Sequence, residues 1–134
     1  GSLIIIMSAG RPHKCTVKRH MKPVANLIHV DNVDESIAWY KQAFTAAIER
    51  SLDGFVILDL EGFSIELVQA DEKVKSGKSG SVTYWFVENL ENEIERFKKL
   101  GSIIYRGPMR IEGGLGMCQV TDPSGNLIGL RGPF

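Results

Sequence analysis

The spacing of apolar residues along the chain predicts two similar helices. In the stretch from Val30 to Phe44, apolar residues recur at i, i+4, i+7 and i+11, which is the repeat of one buried helix face. A weaker copy of this stretch returns 57 residues later, from Val87 to Gly101. Asn32 and Asn89 stand near the start of the two copies, where an asparagine side chain can accept from first-turn amide groups. Each copy therefore predicts a helix that begins after an asparagine cap.

Apolar runs on both sides of these helices predict strands. Asp53-Gly54 and Glu61-Gly62 separate three such runs in the first half, and an Asp-Gly pair between apolar alternations is a strong hairpin signal. Gly101 is expected to end the second helix in a left-handed conformation. The predicted strands are Val24–Val30, Ala46–Arg50, Phe55–Leu60, Phe63–Gln69, Ser81–Val87, Ser102–Tyr105, Leu115–Thr121 and Asn126–Arg131.

The order strand, helix, three strands therefore occurs twice, which predicts two related modules paired about a pseudo-twofold axis. We place the first module at residues 22–70 and the second at residues 81–134, with a polar, glycine-containing linker at residues 71–80. Because 134 residues suffice for one ordinary core, the modules are expected to share it as a single domain. Residues 1–21 do not fit the repeat. We interpret them as a vector-derived or upstream extension, with an ordered arm at a sheet edge as the alternative.

The charge balance and the apolar runs exclude several classes of partner. Sixteen basic and sixteen acidic residues leave no net charge, and no basic stripe with interleaved aromatics indicates a nucleic-acid partner. No apolar run approaches the roughly 20 residues that cross a bilayer. Leu3 to Met7 is shorter than the apolar region of a signal peptide, which has about 7 to 15 residues. We therefore expect a cytoplasmic protein, and Cys15 and Cys118 do not make a disulfide framework.

Two segments carry a resemblance to a known family, S-I-A-W-Y at Ser36–Tyr40 and D-P-S-G-N-L-I at Asp122–Ile128. With the doubled module, they resemble the glyoxalase, bleomycin-resistance and extradiol-dioxygenase superfamily, also called vicinal oxygen chelate proteins. The resemblance covers about Pro23 to Leu130. It implies an α+β fold in which two tandem βαβββ modules form a curved mixed sheet around a groove, with the helices outside. It also implies a homodimer.

In active members of that superfamily, side chains on the first and last strands of each module bind a divalent metal in the groove. Matching motif to motif places these four positions at Ala25, Glu66, Val82 and Gly129. Only Glu66 has a side chain that can bind a metal, whereas zinc sites use about three or four nitrogen, sulfur or oxygen ligands. We therefore predict no metal and no other cofactor and name no catalytic residue. Whether the chain is an enzyme is left open, and the loss of the usual ligands argues against it.

Alternation along the strands predicts what the groove holds instead. Glu66 is expected to pair with Arg131 or His29, since an apolar setting disfavours an unpaired carboxylate. Tyr84 and Phe86 are candidates for stacking on a planar ligand, with a core role as the alternative. A mostly apolar and aromatic lining with a few polar groups is typical of a small-molecule pocket, and equally of a core. The expected ligand-binding residues are Leu27, His29, Ser64, Glu66, Tyr84, Phe86 and Arg131.

Three functional hypotheses follow. The first is a protein that binds a small molecule in a metal-free groove, for which a ligand would raise the melting temperature. The second is a metal-dependent lyase, isomerase or dioxygenase of the same superfamily that uses Glu66 with displaced ligands such as His29 or Gln119. The third is an interaction module whose groove is filled by its own side chains. Elemental analysis separates the second from the first.

Overall fold

The structure is a computed structural model that describes residues 22–134, so the interpretation of residues 1–21 lies outside the described part. Within that part, two helices and eight strands follow one another, with a short 3-10 turn at Glu112–Gly114. In chain order they are β1 (Ala25–Val30), α1 (Val33–Ala43), β2 (Ile48–Leu52), β3 (Phe55–Leu60), β4 (Phe63–Gln69), β5 (Thr83–Phe86), α2 (Leu90–Lys99), β6 (Ile104–Arg110), β7 (Leu115–Thr121) and β8 (Leu127–Pro133).

The starts of both helices are those predicted from the asparagine caps. The side chain of Asn32 accepts a hydrogen bond of 2.9 Å from the backbone N–H of Glu35. Asn89 accepts one of 2.9 Å from the backbone N–H of Asn92 in the same way. Gly101 follows α2 with a φ of 94°, a left-handed conformation that a residue without a Cβ adopts at little cost.

Two tight hairpins join β2, β3 and β4. Asp53 and Gly54 have φ values of 49° and 84°, and Glu61 and Gly62 have values of 54° and 92°. Positive φ at both central residues is the signature of the type I′ turn, whose twist matches that of the flanking strands. The Asp-Gly and Glu-Gly pairs thus set the register of the meander in the first half.

The strands form two four-stranded sheets with equivalent topology, β1-β4-β3-β2 and β5-β8-β7-β6. In each sheet the first and last strands of a module pair parallel, and the other neighbours pair antiparallel. Each sheet with its helix is a βαβββ module, so the predicted α+β class with two tandem modules is confirmed. No helix in residues 22–134 is long and apolar enough to cross a membrane.

Hydrogen bonds between the ends of the two helices reveal the pseudo-twofold relation. The indole N–H of Trp39 on α1 donates to the carbonyl oxygen of Leu100 at the end of α2, at 2.9 Å. Arg96 on α2 donates to the carbonyl oxygen of Ala43 at the end of α1, at 2.7 Å. Trp39 and Arg96 occupy equivalent positions in the repeat, and so do Ala43 and Leu100. Trp39 therefore caps the other helix.

The two modules share one core between the helices and the sheets. Trp85 of β5 packs against two rings of the first module, Phe44 at 4.8 Å and Phe63 at 5.7 Å between centroids. On the same side of the sheets, Asn26 donates to the hydroxyl of Thr83 at 2.9 Å, joining equivalent positions of β1 and β5. The largest fully buried side chains include Tyr40, Leu58, Ile65, Leu90, Phe97 and Leu130, which come from both modules.

The two motifs that carry the family resemblance are bonded to each other. The hydroxyl of Tyr40 donates to a carboxylate oxygen of Asp122 at 2.8 Å, and these residues are only 1% and 5% exposed. Asp122 also accepts from the backbone N–H groups of Ser124 and Asn126 and from the side chain of Asn126. Burial, and then the charge of Asp122, raise the pKa of Tyr40 well above its usual value. Tyr40 is therefore a neutral donor that fastens the β7–β8 turn to α1.

Three strands run further than predicted, β2 and β8 by two residues each and β6 by five. The sequence ends the sixth strand at Tyr105 because Gly107-Pro108 reads as a break, whereas β6 extends to Arg110. Its ladder to β7 shifts register twice between Ile104 and Met109, so the strand passes the proline as an irregular edge strand. Proline is tolerated at a sheet edge because its missing N–H faces no partner strand there.

Candidate functional site

The face of the sheets that points away from the helices is the candidate site. We call it the concave face. Along β1, Leu27 is 51% exposed on this face, whereas Val30, on the face that packs against the helices, is fully buried. Phe55, Phe86 and Ile48 are also more than half exposed. An apolar surface of this extent is more than scattered single residues, and such surfaces mark binding or interaction sites.

In the first module, a carboxylate lies on this face. Glu66 on β4 pairs in register with Leu27 on one side and Ile57 on the other. The hydroxyl of Ser64, two residues earlier on the same strand, donates to a carboxylate oxygen of Glu66 at 2.9 Å. The structure thus brings Ser64, Glu66 and Leu27 together.

Glu66 also lines a cavity of about 400 Å³. The ladder between β3 and β4 begins near the β3–β4 turn and ends at the pair Ile57 and Glu66. Beyond this pair, toward the β2–β3 turn, the two strands separate. The cavity occupies that gap and reaches Val33 and Ile37 on α1. Its volume lies within the range of about 300 to 1,000 Å³ that small-molecule pockets occupy.

In the second module, an aromatic ring and a guanidinium group lie on this face. Tyr84 on β5 and Gln119 on β7 flank Gly129 of β8 in register. Because Gly129 has no side chain, the two neighbours meet across it, and Gln119 donates to the Tyr84 hydroxyl at 2.8 Å. The guanidinium of Arg131 lies 4.5 Å from the centroid of the Tyr84 ring, a cation–π distance. We call these residues, Tyr84, Gln119 and Arg131, the Tyr84 platform.

Gly129 permits this arrangement sterically. A Cβ atom at this position would lie 2.7 Å from two carbons of the Tyr84 ring. Contacts this short do not occur between real side chains, so any larger residue requires the ring to move. The ring of Tyr84 therefore occupies the space that a side chain at this strand position would use.

Two further predicted site residues, His29 and Phe86, lie on the same face beside these groups. His29 pairs with Val68, two positions along β1 from Leu27, and its carbonyl oxygen accepts from Asn126. Phe86 pairs with Arg131 but is 69% exposed, and it also lines a different cavity between the modules. In residues 22–134, no ion pair joins Glu66 to His29 or Arg131.

Sequence reasoning missed the bond between Gln119 and Tyr84. The sequence named Gln119 only as a displaced metal ligand. The signal was available in principle, because alternation along β7 puts Gln119 on the same face as Gly129 once the β7–β8 register is known. Cys118, next to it, faces the core, and burial raises the pKa of its thiol, so it has no nucleophilic character.

Comparison with known proteins agrees with the fold. A sequence profile described as "Glyoxalase/Bleomycin resistance protein/Dioxygenase superfamily" matches residues 20–130, which is most of the chain. The chain belongs to this superfamily. Among curated proteins, none matches the chain by sequence.

Several solved structures have the same superfamily fold. An antibiotic-binding protein from Streptomyces sp. CB03234 has a TM-score of 0.69 and 16% identity, covering 88% of this chain and 100% of that chain. A genomically encoded fosfomycin resistance protein from Listeria monocytogenes has a TM-score of 0.66 and 16% identity, covering 88% and 96%. A lactoylglutathione lyase from Agrobacterium tumefaciens has a TM-score of 0.64 and 16% identity, covering 86% and 96%. At such identities the likeness shows the fold alone.

The residues at the metal positions of the superfamily do not fit a metal ion in this chain. Ala25 and Val82 offer no donor atom, and the Tyr84 ring fills the space beside Gly129. Of the proposed displaced ligands, Gln119 has its amide nitrogen bonded to Tyr84. Within residues 22–134, no three His, Cys, Asp or Glu side chains lie close enough to hold one ion.

Proposed function

We propose that this superfamily member binds a small organic molecule on the concave face, without a metal cofactor. The observation that carries the proposal is the Tyr84 platform. At the strand position where active relatives place a metal ligand, this chain has Gly129 with an aromatic ring over it and a guanidinium beside it. The site offers stacking and charge pairing to a ligand rather than coordination of an ion.

The chemistry of the platform favours a planar ligand with an anionic group. None of the ion pairs in the described part of the chain involves Arg131, so its N–H groups remain available to a carboxylate or phenolate. The ring of Tyr84 presents a flat aromatic surface beside it. Leu27 and Glu66 of the first module line a separate cavity, which offers an apolar contact and a hydrogen-bonding group.

The name of one relative supports binding, since it is an antibiotic-binding protein, whereas another relative is a lyase. The first name is compatible with a role for this chain in sequestering a toxic small molecule.

A thermal-shift screen of aromatic carboxylates and phenols tests the proposal. A binder present at 100 times its Kd stabilises the folded state by about 2.7 kcal/mol, which is readily measured as a rise in Tm. We expect Arg131→Gln to weaken binding by roughly 1.5–3 kcal/mol, the range for hydrogen bonds to charged groups. Gly129→Ala should also weaken binding, because it displaces the Tyr84 ring. Lys99→Gln, which removes an exposed positive charge from α2 on the other side of the sheets, is the control.

Two outcomes would contradict this proposal. One is a ligand whose affinity falls equally in Lys99→Gln and Arg131→Gln, because the platform would then not be the site. The other is zinc, nickel, manganese or iron in stoichiometric amount in elemental analysis of the purified protein, which would favour the metal-dependent enzyme. A screen without any ligand-induced shift would favour the interaction module with a filled groove.

A homodimer is part of the proposal. The edge strand β6 and its flanks expose four apolar side chains, Ile103, Tyr105, Met109 and Ile111. Exposed edge strands with apolar side chains favour pairing with another chain. Light scattering after size-exclusion chromatography should give twice the monomer mass, and Met109→Lys should shift it toward the monomer.

We place the protein in the cytoplasm, since the buried Cys118 is a free thiol, as is usual in a reducing compartment.

A further inference from the structure

The pseudo-twofold relation gives the molecule two junctions between the modules on the helix side of the sheets. One of them, which we call the closed junction, is filled by the β7–β8 turn. Asp122 accepts from Tyr40, the hydroxyl of Ser124 accepts from the backbone N–H of Asp31 at 2.9 Å, and Asn126 donates to the carbonyl oxygen of His29. The chain itself therefore occupies this junction.

The equivalent place on the other side, which we call the open junction, is not filled by a turn of the chain in this way. Phe97 stands where Tyr40 stands in the repeat, and it has no hydroxyl to donate. The β3–β4 hairpin at residues 59–63 stands where the β7–β8 turn stands, but Asp59 bonds to Gly62 and Arg50 of its own module. In the described part of the chain, no hydrogen bond joins this hairpin to the β5–α2 connection at residues 87–89.

A cavity of about 750 Å³ lies at the open junction. This volume is within the range of about 300 to 1,000 Å³ for small-molecule pockets. Exposed residues at its mouth include Thr45, Ala46 and Asn89. Rings and aliphatic side chains form its inner wall, namely Phe44, Leu60, Trp85, Phe97 and Leu130.

The charges around the cavity favour a cationic group in the ligand. Glu93 already pairs with Arg96 at 2.8 Å, so these two charges compensate each other. Glu88 is exposed and lines the same cavity, and none of the ion pairs in the described residues involves it. The mouth therefore carries one uncompensated negative charge. An amine would be attracted to it and a carboxylate repelled.

We propose that the open junction is a second binding site, which takes an arylalkylamine, that is, an aromatic ring system bearing a protonated aliphatic amine. The rings of Phe44 and Trp85, 4.8 Å apart and tilted by 60°, offer edge and face contacts to an aromatic ligand. The ammonium group of the ligand faces Glu88. This site lies on the helix side of the sheets, away from the Tyr84 platform, and its existence does not depend on the function proposed above.

A series of biphenyl probes tests this proposal on the whole chain. The probes are 4-phenylbenzylamine, biphenyl-4-methanol and 4-phenylbenzoate, which share one ring system and differ in charge. We expect saturable quenching of tryptophan fluorescence through Trp85, with affinity highest for the amine and lowest for the carboxylate. Quenching alone does not distinguish Trp85 from Trp39, so the position of the probe is checked by NMR. Shifts of the Thr45, Ala46 and Glu88 amides should saturate with the same Kd.

Three variants distinguish this site from others. Ala46→Phe places a ring at the exposed mouth of the cavity and should abolish saturable binding of all three probes. Glu88→Gln should weaken the amine by about two- to fivefold, the effect of an exposed charge pair, and leave the alcohol unchanged. Arg131→Gln should change nothing at this site. Binding that survives Ala46→Phe, binding that is lost in Arg131→Gln, or no saturable binding of the amine by the wild-type chain would each overturn the proposal.

Discussion

At the scale of single residues, the hydroxyl of Tyr40 links α1 to the β7–β8 turn. The group is buried, and its acceptor is the buried carboxylate of Asp122. Burial disfavours the ionised phenolate, and ionising Tyr40 would also put a second negative charge beside Asp122, so the pKa of Tyr40 lies well above its usual value. The folded state therefore keeps this proton at pH values where the unfolded chain loses it.

Replacing Tyr40 by Phe should lower the free energy of unfolding by about 1–3 kcal/mol, because Asp122 loses a donor while the ring volume stays. The pH dependence should change as well. The folded-state pKa is raised, so the contribution of Tyr40 is complete below the usual tyrosine pKa of about 10 and is lost as the pH rises above it. Urea unfolding at neutral and alkaline pH should show a smaller alkaline loss in Tyr40→Phe than in the wild type.

Tyr105→Phe is the control for this prediction, because Tyr105 is half exposed on β6 and bonds to no carboxylate. It should leave both the neutral stability and the alkaline loss unchanged. Equal alkaline losses in wild type and Tyr40→Phe would show that the proton of Tyr40 is not held by the fold.

The sequence placed both partners of this bond in motifs but could not pair them. Periodicity put Tyr40 on the buried face of α1, and the Asp122 segment was recognised as a turn. The two residues are 82 apart, and local patterns determine which face a residue occupies, not which loop meets it. The role of Gly129 was also out of reach of local patterns. The sequence indicated a lost metal ligand at this position, whereas its steric role beneath Tyr84 depends on the ladder between β5 and β8.

At the scale of elements, each helix has its last carbonyl groups satisfied by a side chain of the other helix. The last carbonyls of a helix have no partner within it and carry the negative end of its dipole. Trp39 supplies an N–H group to α2, and Arg96 supplies a charged guanidinium to α1. Side-chain contacts at the C-terminal end of each helix therefore join the two helices, in addition to their shared core.

Arg96→Met should therefore cost about 1–3 kcal/mol of folding free energy, since the carbonyls of Gln42 and Ala43 lose a charged donor. Lys98→Met is the matched control on the same helix. Lys98 pairs only with Glu95 on the surface, and exposed pairs contribute about 0–1 kcal/mol. Urea midpoints of the two variants give the comparison, and equal losses would mean that the contact with α1 contributes nothing.

The elements that the sequence predicted best are those with local causes. The asparagine caps, Gly101 and the two hairpin turns each need only a few consecutive residues, and all lie where expected. The sixth strand was predicted too short because its extent depends on β7, which accepts an irregular ladder past Gly107-Pro108. Pairing between strands is not visible in the composition of either strand alone.

At the scale of the whole molecule, the repeat produces one folding unit rather than two. Trp85 of the second module inserts between Phe44 and Phe63 of the first, and Tyr40 of the first is bonded to Asp122 of the second. Neither module can bury its apolar face while the other is unfolded. The core therefore forms only when both modules are folded, even though each sheet has its own hydrogen-bonded strands.

The chain should therefore unfold in one cooperative transition. Trp39 and Trp85 belong to different modules and each contacts the other module, so Trp39→Phe and Trp85→Phe each leave one fluorescent probe of the contact between the modules. For each variant, the fluorescence midpoint in urea should coincide with the midpoint from far-ultraviolet circular dichroism, as in a two-state transition. The midpoints of the two variants can differ from each other, because each substitution removes different contacts. Within one variant, a fluorescence transition that precedes the loss of secondary structure would show that the modules unfold independently, in conflict with a shared core.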